Sequence, residues 1–564
     1  MMGAPPQGPP PRVVVGIDFG TTFSGYAHAH CSGVTDKKVY SFFKWPASPG
    51  GVPWSKTSSV SLYEGTNLKA WGFPATREFA RIDGGGEGTA AAEIHFGRVG
   101  QFTLCTRFKL HLDESCESRP PLPPGMDEVT VIGDYLHALH SFMMPELRQI
   151  YGQNLMPEEL KYCLTIPAMW TDLAKHKMRQ AALRAGLIPT LESDRLTLIP
   201  EPEAAAFFAL DGADRLDLAV GERFMIVDAG GGTVDLTVHE LLNDRKMREC
   251  SIGSGDTCGS SIVDEEFYAY LKERLGPNTM NNITNAGKNL YTYFHNDWIA
   301  AKHEFDGTAA VDPLKMHLAI YRLLDPSEHS QDLSAIDIPP ADMRQMFDPA
   351  VNRTLELIDA QLQACQANGK PVDRLILVGG FCSSPYLKRR IHETFATRVR
   401  YISTVAEPSA AVVNGAVLCG LRPSGNAGRI TRLSYGIEAV VVKTKRSFLR
   451  TKKEKLPKGF IPFILQGTPV GPDDFVERRG FRVPSPQSER LAINIFCVPR
   501  KNAEFVTEQG FKMMGTIVVD VSSTVGHPER EILCRMFFGK EEIKVVAIDM
   551  NTGREYHCQI QFAV

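Results

Sequence analysis

The sequence predicts an α/β fold of two duplicated lobes, followed by a smaller, mostly-β region. Three observations lead there. An apolar run that ends in aspartate and then turns through glycine and threonine occurs twice. A Glu-Pro-x-Ala-Ala element follows each copy at nearly the same distance. Beyond about residue 430 the pattern changes to short alternating strands.

The opening "MMGAPPQGPPPR" has no hydrophobic stretch of the secretory kind and reads as a short disordered Pro/Gly tail over residues 1–11. Val13-Val14-Val15 then leads into "GIDFGTTFSG", where Asp18 ends the apolar run and Gly20, Thr21 and Thr22 follow. The second copy is "RFMIVDAGGGTVDL", residues 223–236, with Asp228, then Gly230, Gly231, Gly232 and Thr233. A strand that stops at Asp-x-Gly and resumes after a Gly/Thr turn is a β-hairpin signal. Successive backbone N–H groups in such a turn form an anion-binding concavity. Glycine lets that backbone approach phosphate oxygens without a Cβ in the way. An aspartate there would repel phosphate unless it faces a divalent cation, usually through the water shell that Mg²⁺ keeps. Two such hairpins can grip one polyphosphate from opposite sides.

Spacing supports the duplication. Glu201-Pro202-Glu203-Ala204-Ala205 follows the first hairpin, and Glu407-Pro408-Ser409-Ala410-Ala411 follows the second. From position 18 to 201 is 183 residues, and from 228 to 407 is 179. In each copy the proline is expected at the first helical position, where its missing N–H costs nothing. Between these elements, "TDLAKHKMRQAALRAGL" predicts a helix capped by Thr171-Asp172, with Met178, Ala181, Ala182 and Ala185 at helical spacing and a C-cap near Gly186. "RLILVGG" predicts a fully buried strand that feeds a glycine turn and a helix, which places ligands at the carboxyl ends of strands.

Composition bounds the rest. The chain has 564 residues, 43% hydrophobic and 23% charged, with a net charge of −3. That is ordinary for globular protein, and at roughly 100–200 residues per domain it suggests three or four folding units. No global basic field asks for nucleic acid, and no apolar run approaches the ~20 residues of a membrane span. The twelve cysteines are scattered without a CxxC, as expected of free thiols in the cytoplasm.

Five segments then resemble one family, the seventy-kilodalton heat-shock chaperones with their actin-like ATPase fold. "GIDFGTTFSG" resembles their first phosphate loop and "IVDAGGGTVDLTV" the second. "LTIPAMWTDLAKHKMRQAALRAGL" resembles the segment with a Pro-Ala pair before a long helix. "GSGDTCGSSIVDEEF" resembles the Gly-Asp-Thr loop, and "LILVGGFCSSPYLKRRI" the adenosine loop. The resemblance runs from about residue 13 to 422 and is faint between the motifs. It implies a nucleotide-binding domain over 12–425, two lobes around a cleft for ATP or ADP with Mg²⁺.

Carried over residue by residue, the resemblance gives Asp18 and Asp228 a Mg²⁺ ion held through water. Gly20, Thr21, Thr22 and Phe23, with Gly230, Gly231, Gly232 and Thr233, would cradle the phosphates. Glu201 and Asp235 would sit near the attacking water. Positioning and charge neutralisation are what phosphoryl transfer needs. The family also sets a lysine against the transferred phosphate. "CTRFKLHL" offers Lys109 or, in another register, Arg107, and Lys109 is preferred. Gly379 and Gly380 would approach the adenosine. The hydroxyl pair and arginine that usually follow are replaced by Phe381, Cys382 and Ser383. The facing helix, "WIAAKHEF", keeps Lys302 but has Ile299 and His303 where the family has Glu and Arg. Arginine stacking on the base is thus lost, Phe381 is the ring left to stack, and weak binding or a relaxed base preference is expected.

After a linker at "LRPSGNAGRI", residues 430–564 read as strands. "RLSYGIEAV" resembles the opening of the family's β-sandwich peptide-binding domain, and "LAINIFCV", "GTIVVDV" and "GKEEIKVVAIDMNTGREYHCQIQF" supply further strands, with "NTGRE" as a hairpin turn. The acidic-leucine linker of typical members is missing, and no helical lid is expected after Val564, which resembles the divergent protein-12-like branch of the family.

The expectation is an ATP-binding, ATP-hydrolysing chaperone-like protein whose nucleotide state modulates the binding of polypeptide clients, with co-chaperones as possible partners. Two alternatives stand beside it: a scaffold that binds nucleotide without turnover, and a sugar or metabolite kinase of the same fold. Other motifs read blandly. "KTKRSFLRTKKEKLPK", residues 443–458, carries eight Lys/Arg against one Glu and reads as a solvated loop. His28, His30 and Cys31 read as polar strand residues without zinc spacing. "GGGEGTAAA" lacks the Lys-Ser/Thr of a P-loop, and no GxSxG or HExxH occurs.

Overall fold

Two hairpins organise the larger part of the chain. The computed structural model describes residues 9–557 apart from 33–37, 49–52, 83–96, 115, 117–118, 212–215, 289, 330–332, 441–457, 484, 528 and 539–541. The first eight residues, the glycine-rich stretch near residue 85, nearly all of the basic run at 443–458 and the chain beyond 557 therefore lie outside the described residues.

Val13–Phe19 is buried along its whole length and pairs antiparallel with Phe23–His30. Its other edge takes Leu160–Ile166 in parallel, which in turn takes Leu196–Pro200 in parallel. Tyr40–Ser41 and Thr57–Ser58 both add to Phe23–His30. Such near-continuous apolar runs are what a sheet covered on both faces requires. One face is packed by the helices Glu128–Tyr151 and Asp172–Arg184, whose Leu136, Leu139, Met143 and Met178 join Val13, Val15 and Ile17 in one core. The second of these helices starts as its sequence predicts: Thr171 Oγ1 accepts from Ala174 N–H at 3.3 Å, and Gly186 lies at φ +78° past its end.

The second hairpin repeats the plan. Arg223–Ala229 pairs antiparallel with Val234–Leu241 and parallel with Arg374–Val378, which pairs parallel with Tyr401–Thr404. Ser254–Asp256 pairs with Val234–Leu236. Two helices cross between the halves: Glu201–Asp211 and Ala411–Leu421. They touch where Gly415 meets Ala204, so closely that a Cβ at Gly415 would fall 1.7 Å from the Ala204 carbonyl oxygen.

One expectation needs correction. Glu201 opens its helix, but the second helix starts at Ala411, three residues after Pro408. Ala410 N–H bonds back to the Glu407 carbonyl at 3.1 Å, and the Pro408 carbonyl accepts from Gly379 N–H at 3.1 Å. That carbonyl is spent on the neighbouring loop and takes no part in the helix.

The chain divides into two units, residues 1–241 with 253–425 and residues 242–252 with 426–564. In the smaller unit, Ser434–Val440 pairs with Lys458–Ile464 and Arg490–Val498, and the latter pairs with Lys512–Asp520. A second sheet runs Phe475–Arg482, Glu531–Phe537, Lys544–Asp549, Glu555–His557. Ile437, Ile495 and Val519 of the first meet Ile532, Met536 and Val545 of the second in a shared core, a β-sandwich. The segment expected as linker is partly strand: Asn426–Ile430 pairs with Met247–Arg248 and with Pro469–Val470. Among the described residues no helix is long and apolar enough to cross a membrane.

Candidate functional site

The first turn places Asp18 opposite Gly25 across the hairpin. Gly20 N–H closes the turn on the Phe23 carbonyl at 3.1 Å. Ser59 braces it, donating its backbone N–H to the Thr22 carbonyl and its hydroxyl to the Gly20 carbonyl, both at 2.7 Å. Asp18 is 2% exposed. Its Oδ1 accepts from Thr165 Oγ1 at 3.1 Å, brought alongside by the parallel strand Leu160–Ile166. Its Oδ2 pairs with Lys56 Nζ at 2.5 Å.

The second turn sets Asp228 directly opposite Asp235. Gly230 N–H closes it on the Thr233 carbonyl at 2.9 Å. The loop before helix Ser261–Leu275 holds its back: Gly259, Ser260 and Ser261 N–H donate to the carbonyls of Gly232, Gly230 and Gly231 at 3.1, 3.1 and 2.8 Å. With their carbonyls so engaged, the turn's glycines stay fixed at the site. Asp235 Oδ1 accepts from Ala168 N–H at 3.0 Å, in the Pro-Ala segment that follows Ile166.

The two turns meet tip to tip. A Cβ on Gly231 would lie 2.0 Å from Thr22 Oγ1, and one on Gly232 2.5 Å from Thr21 Oγ1. Only glycine permits that approach. The structure thus brings Asp18, Gly20 to Phe23, Asp228 and Gly230 to Thr233 into one place. Glu201 and Lys109 join them: Lys109 Nζ pairs with Glu201 Oε1 at 2.5 Å, its ammonium 5.8 Å from the Phe19 ring and 5.4 Å from the Trp170 ring. Of the two basic candidates in that segment, Lys109 points to Glu201, whereas Arg107 pairs with Glu265.

Burial shapes the charges. Desolvation first, then Glu201, Asp235 and Asp18, push Asp228 well above the usual carboxylate range. Asp235 is pushed up to about 7, by burial and then by Glu201. Glu201 is raised by burial against the pull of Lys109. Burial alone would lower Lys56, but Asp18, Asp228 and Glu201 outweigh it and hold its ammonium above its ordinary value. Asp228 Oδ2 is buried without a hydrogen-bond partner among the described residues. Four carboxylates against two ammonium groups leave a formal deficit of two positive charges. An orphaned carboxylate oxygen and that deficit fit a hard divalent cation. No group of three or more His, Cys, Asp or Glu set to hold a metal directly occurs among the described residues.

The remaining sequence candidates sit nearby or apart. Gly379, at φ +86°, lies against Asp228; a Cβ there would be 2.5 Å from Asp228 Oδ1. Gly380 faces open space. Phe381 is 3% exposed. Lys302 is tied to Asp264 Oδ2 at 2.7 Å and to the Ser260 carbonyl at 3.1 Å, and Trp298 Nε1 donates to Asp264 Oδ1 at 2.7 Å. It therefore reaches the second turn through the loop that backs it. His28 is buried against Tyr151, its Nδ1 2.7 Å from the Tyr151 hydroxyl, and burial lowers it to about 4. Lys56 was missed by sequence reasoning. It precedes a two-residue strand with no periodic signal, and only the pairing of Thr57–Ser58 with Phe23–Ser24 brings it to Asp18.

Two facing glycine turns with paired aspartates on a duplicated α/β unit define the class of actin-like ATPases. The family model described as Hsp70 protein matches residues 133–453, more than half of the chain, and the chain belongs to the Hsp70 family as a divergent member. It is 25% identical over 640 residues to heat shock 70 kDa protein 12A of Homo sapiens, covering 98% of this chain and 91% of that protein. With human heat shock 70 kDa protein 12B it shares 25% over 639 residues, at the same coverage. Chaperone protein DnaK of Picrophilus torridus is 25% identical over 330 residues, 55% of this chain and 50% of that protein.

Proposed function

We propose that this chain is an ATP-binding and ATP-hydrolysing chaperone-like protein, in which two lobes close on a nucleotide and its state modulates polypeptide binding by the β-sandwich. The observation that carries the reading is the tip-to-tip meeting of two glycine turns, each with a buried aspartate behind it. In this reading the turns that Gly20 and Gly230 close present the backbone N–H groups of Thr21 to Phe23 and Gly231 to Thr233 to the β- and γ-phosphates. Asp18 and Asp228 hold Mg²⁺ through water, and the ion when bound neutralises charge on the phosphates. Glu201 and Asp235 orient the attacking water. Lys109, held by Glu201, offers its charge to the transferred group. Gly379 and Gly380 receive the adenosine. Polypeptide clients, co-chaperones and a cytoplasmic location go with this reading. The scatter of the twelve cysteines without a CxxC supports the last.

A second reading, nucleotide binding without turnover, is favoured by one observation: Lys56 already occupies an oxygen of Asp18. Calorimetric titration with Mg-ATP and Mg-ADP, joined to a phosphate-release assay, separates the two. Binding with steady phosphate release supports the ATPase. Binding with no release above buffer supports the scaffold, and no binding rejects both.

A further inference from the structure

We propose that Trp170 is a positioning residue for phosphoryl transfer: its indole face, together with the Phe19 ring, holds the Lys109 ammonium where the transferred phosphate meets it. The inference rests on the ATP-hydrolysing reading above and deepens it by naming what keeps Lys109 in place.

Lys109 is 3% exposed, and a buried ammonium needs partners. Glu201 Oε1 takes one of its three donors, at 2.5 Å. A carboxylate alone fixes the charge in one direction only. Its pull also competes with any phosphate that is to receive the same charge. An aromatic face attracts a cation through its quadrupole and leaves the N–H donors free for oxygen partners. The ammonium lies 5.4 Å from the Trp170 ring and 5.8 Å from the Phe19 ring, both inside the roughly 6 Å reach of a cation–π contact. Tryptophan is the strongest of the aromatic partners.

Both rings are held. Phe19 ends the buried strand Val13–Phe19 and packs on Phe108 at 5.9 Å and on Tyr135 at 5.7 Å. Phe108, the residue before Lys109, also meets Tyr135 at 5.6 Å, so the Lys109 backbone and one of its rings share a cluster. Trp170 is buried in the same core. Its backbone N–H donates to the Pro167 carbonyl at 3.4 Å, just ahead of Thr171, which caps the helix Asp172–Arg184. Three consecutive residues of the Pro-Ala segment thus serve the site. Ala168 N–H holds Asp235 Oδ1 at 3.0 Å. Met169 lies against Gly255, where a Cβ would come 3.1 Å from Met169 Cγ and 3.1 Å from Asp235 Oδ1. Trp170 faces Lys109.

Single-turnover hydrolysis of Mg-ATP, calorimetric titration with Mg-ADP and tryptophan emission of the full chain test this. Trp170→Leu removes the π face, and Trp170→Phe keeps one. In Trp170→Leu the hydrolysis rate should fall about three- to thirtyfold, the range of a desolvated cation–π contact, while Kd for Mg-ADP stays within about twofold. Trp170→Phe should hydrolyse within about threefold of wild type. Trp170 is one of five tryptophans. A charge that shifts from Glu201 to phosphate beside an indole alters its emission, so Mg-ATP should change the emission of the wild type and much less that of Trp170→Phe. A wild-type rate in Trp170→Leu, or a Kd weakened as much as the rate, overturns the inference and leaves the ATPase standing. A wild type that does not hydrolyse ATP overturns the reading and the inference with it. Should Trp170→Leu fail to fold, Trp170→Phe decides: an emission change as large as that of the wild type overturns the inference, and its loss supports it.

Discussion

Asp235 concentrates the site's electrostatics in one side chain. It faces Asp228 across the hairpin, accepts from Ala168 N–H, and is raised from 3.8 to about 7. An acid whose folded value is raised binds more protons in the folded chain than in the unfolded one between those two values. Stability is therefore fully present below about pH 4 as far as this group is concerned, and is lost as pH rises towards 7. Glu201 and Asp228 shift in the same direction. The larger unit, free of nucleotide and metal, should melt at lower temperature at pH 7.5 than at pH 5.5 by a few degrees, and Asp235→Asn should shrink the difference. Differential scanning calorimetry of both proteins at the two values checks this. An identical pH dependence in the variant would mean that Asp235 is not the group responsible. Bound cation should relieve the same repulsion, so Mg-nucleotide should flatten the profile.

Helix crossing sets the position of Glu201. Gly415 lies against Ala204, three residues along the helix that Glu201 opens. Gly415→Ala puts a methyl group into a backbone carbonyl, which cannot swing aside. Overpacking of this kind costs about 1–3 kcal/mol or more. The variant should melt several degrees below wild type and lose Lys109–Glu201 registry, read as weaker nucleotide binding. A variant with unchanged melting and binding would show that the crossing is slack. At this scale the sequence was a fair guide where signals are local. The hairpins follow from apolar runs ended by Asp-x-Gly, and the 172–184 helix from Thr171 and the alanine spacing. It failed where partners are distant. Asn426–Ile430 looks like linker because of its glycine and its setting, yet its strand partner lies at 247–248. Pro408 looks like a helix start, but its carbonyl is claimed by Gly379. Lys56 carries no motif at all, and the amides of Gly259 to Ser261 act on the second turn from a loop visible only as a resemblance.

For the whole molecule, the division into two units predicts two readouts of one ligand. A ligand that binds only the folded state stabilises by about 2.7 kcal/mol at a hundred times its Kd. ATP should raise the melting transition of the larger unit by that order. Any shift it causes in the β-sandwich measures coupling, commonly 1–3 kcal/mol. Without the acidic-leucine linker of typical members, that coupling should lie at or below the low end, about fivefold in peptide affinity. Release of a fluorescent peptide, followed without nucleotide, with ADP and with ATP, checks this. A hundredfold acceleration by ATP would contradict it.

The proposed function stands or falls with one phosphate site, formed by the two glycine turns with an aspartate behind each. Calorimetric titration of Mg-ATP into the wild type, Asp18→Asn and Asp228→Asn tests it most directly. A single site is expected in the wild type, and a loss of affinity in each variant of about tenfold or more, the worth of one charge-assisted contact. Titrations that are unchanged in both variants would contradict it.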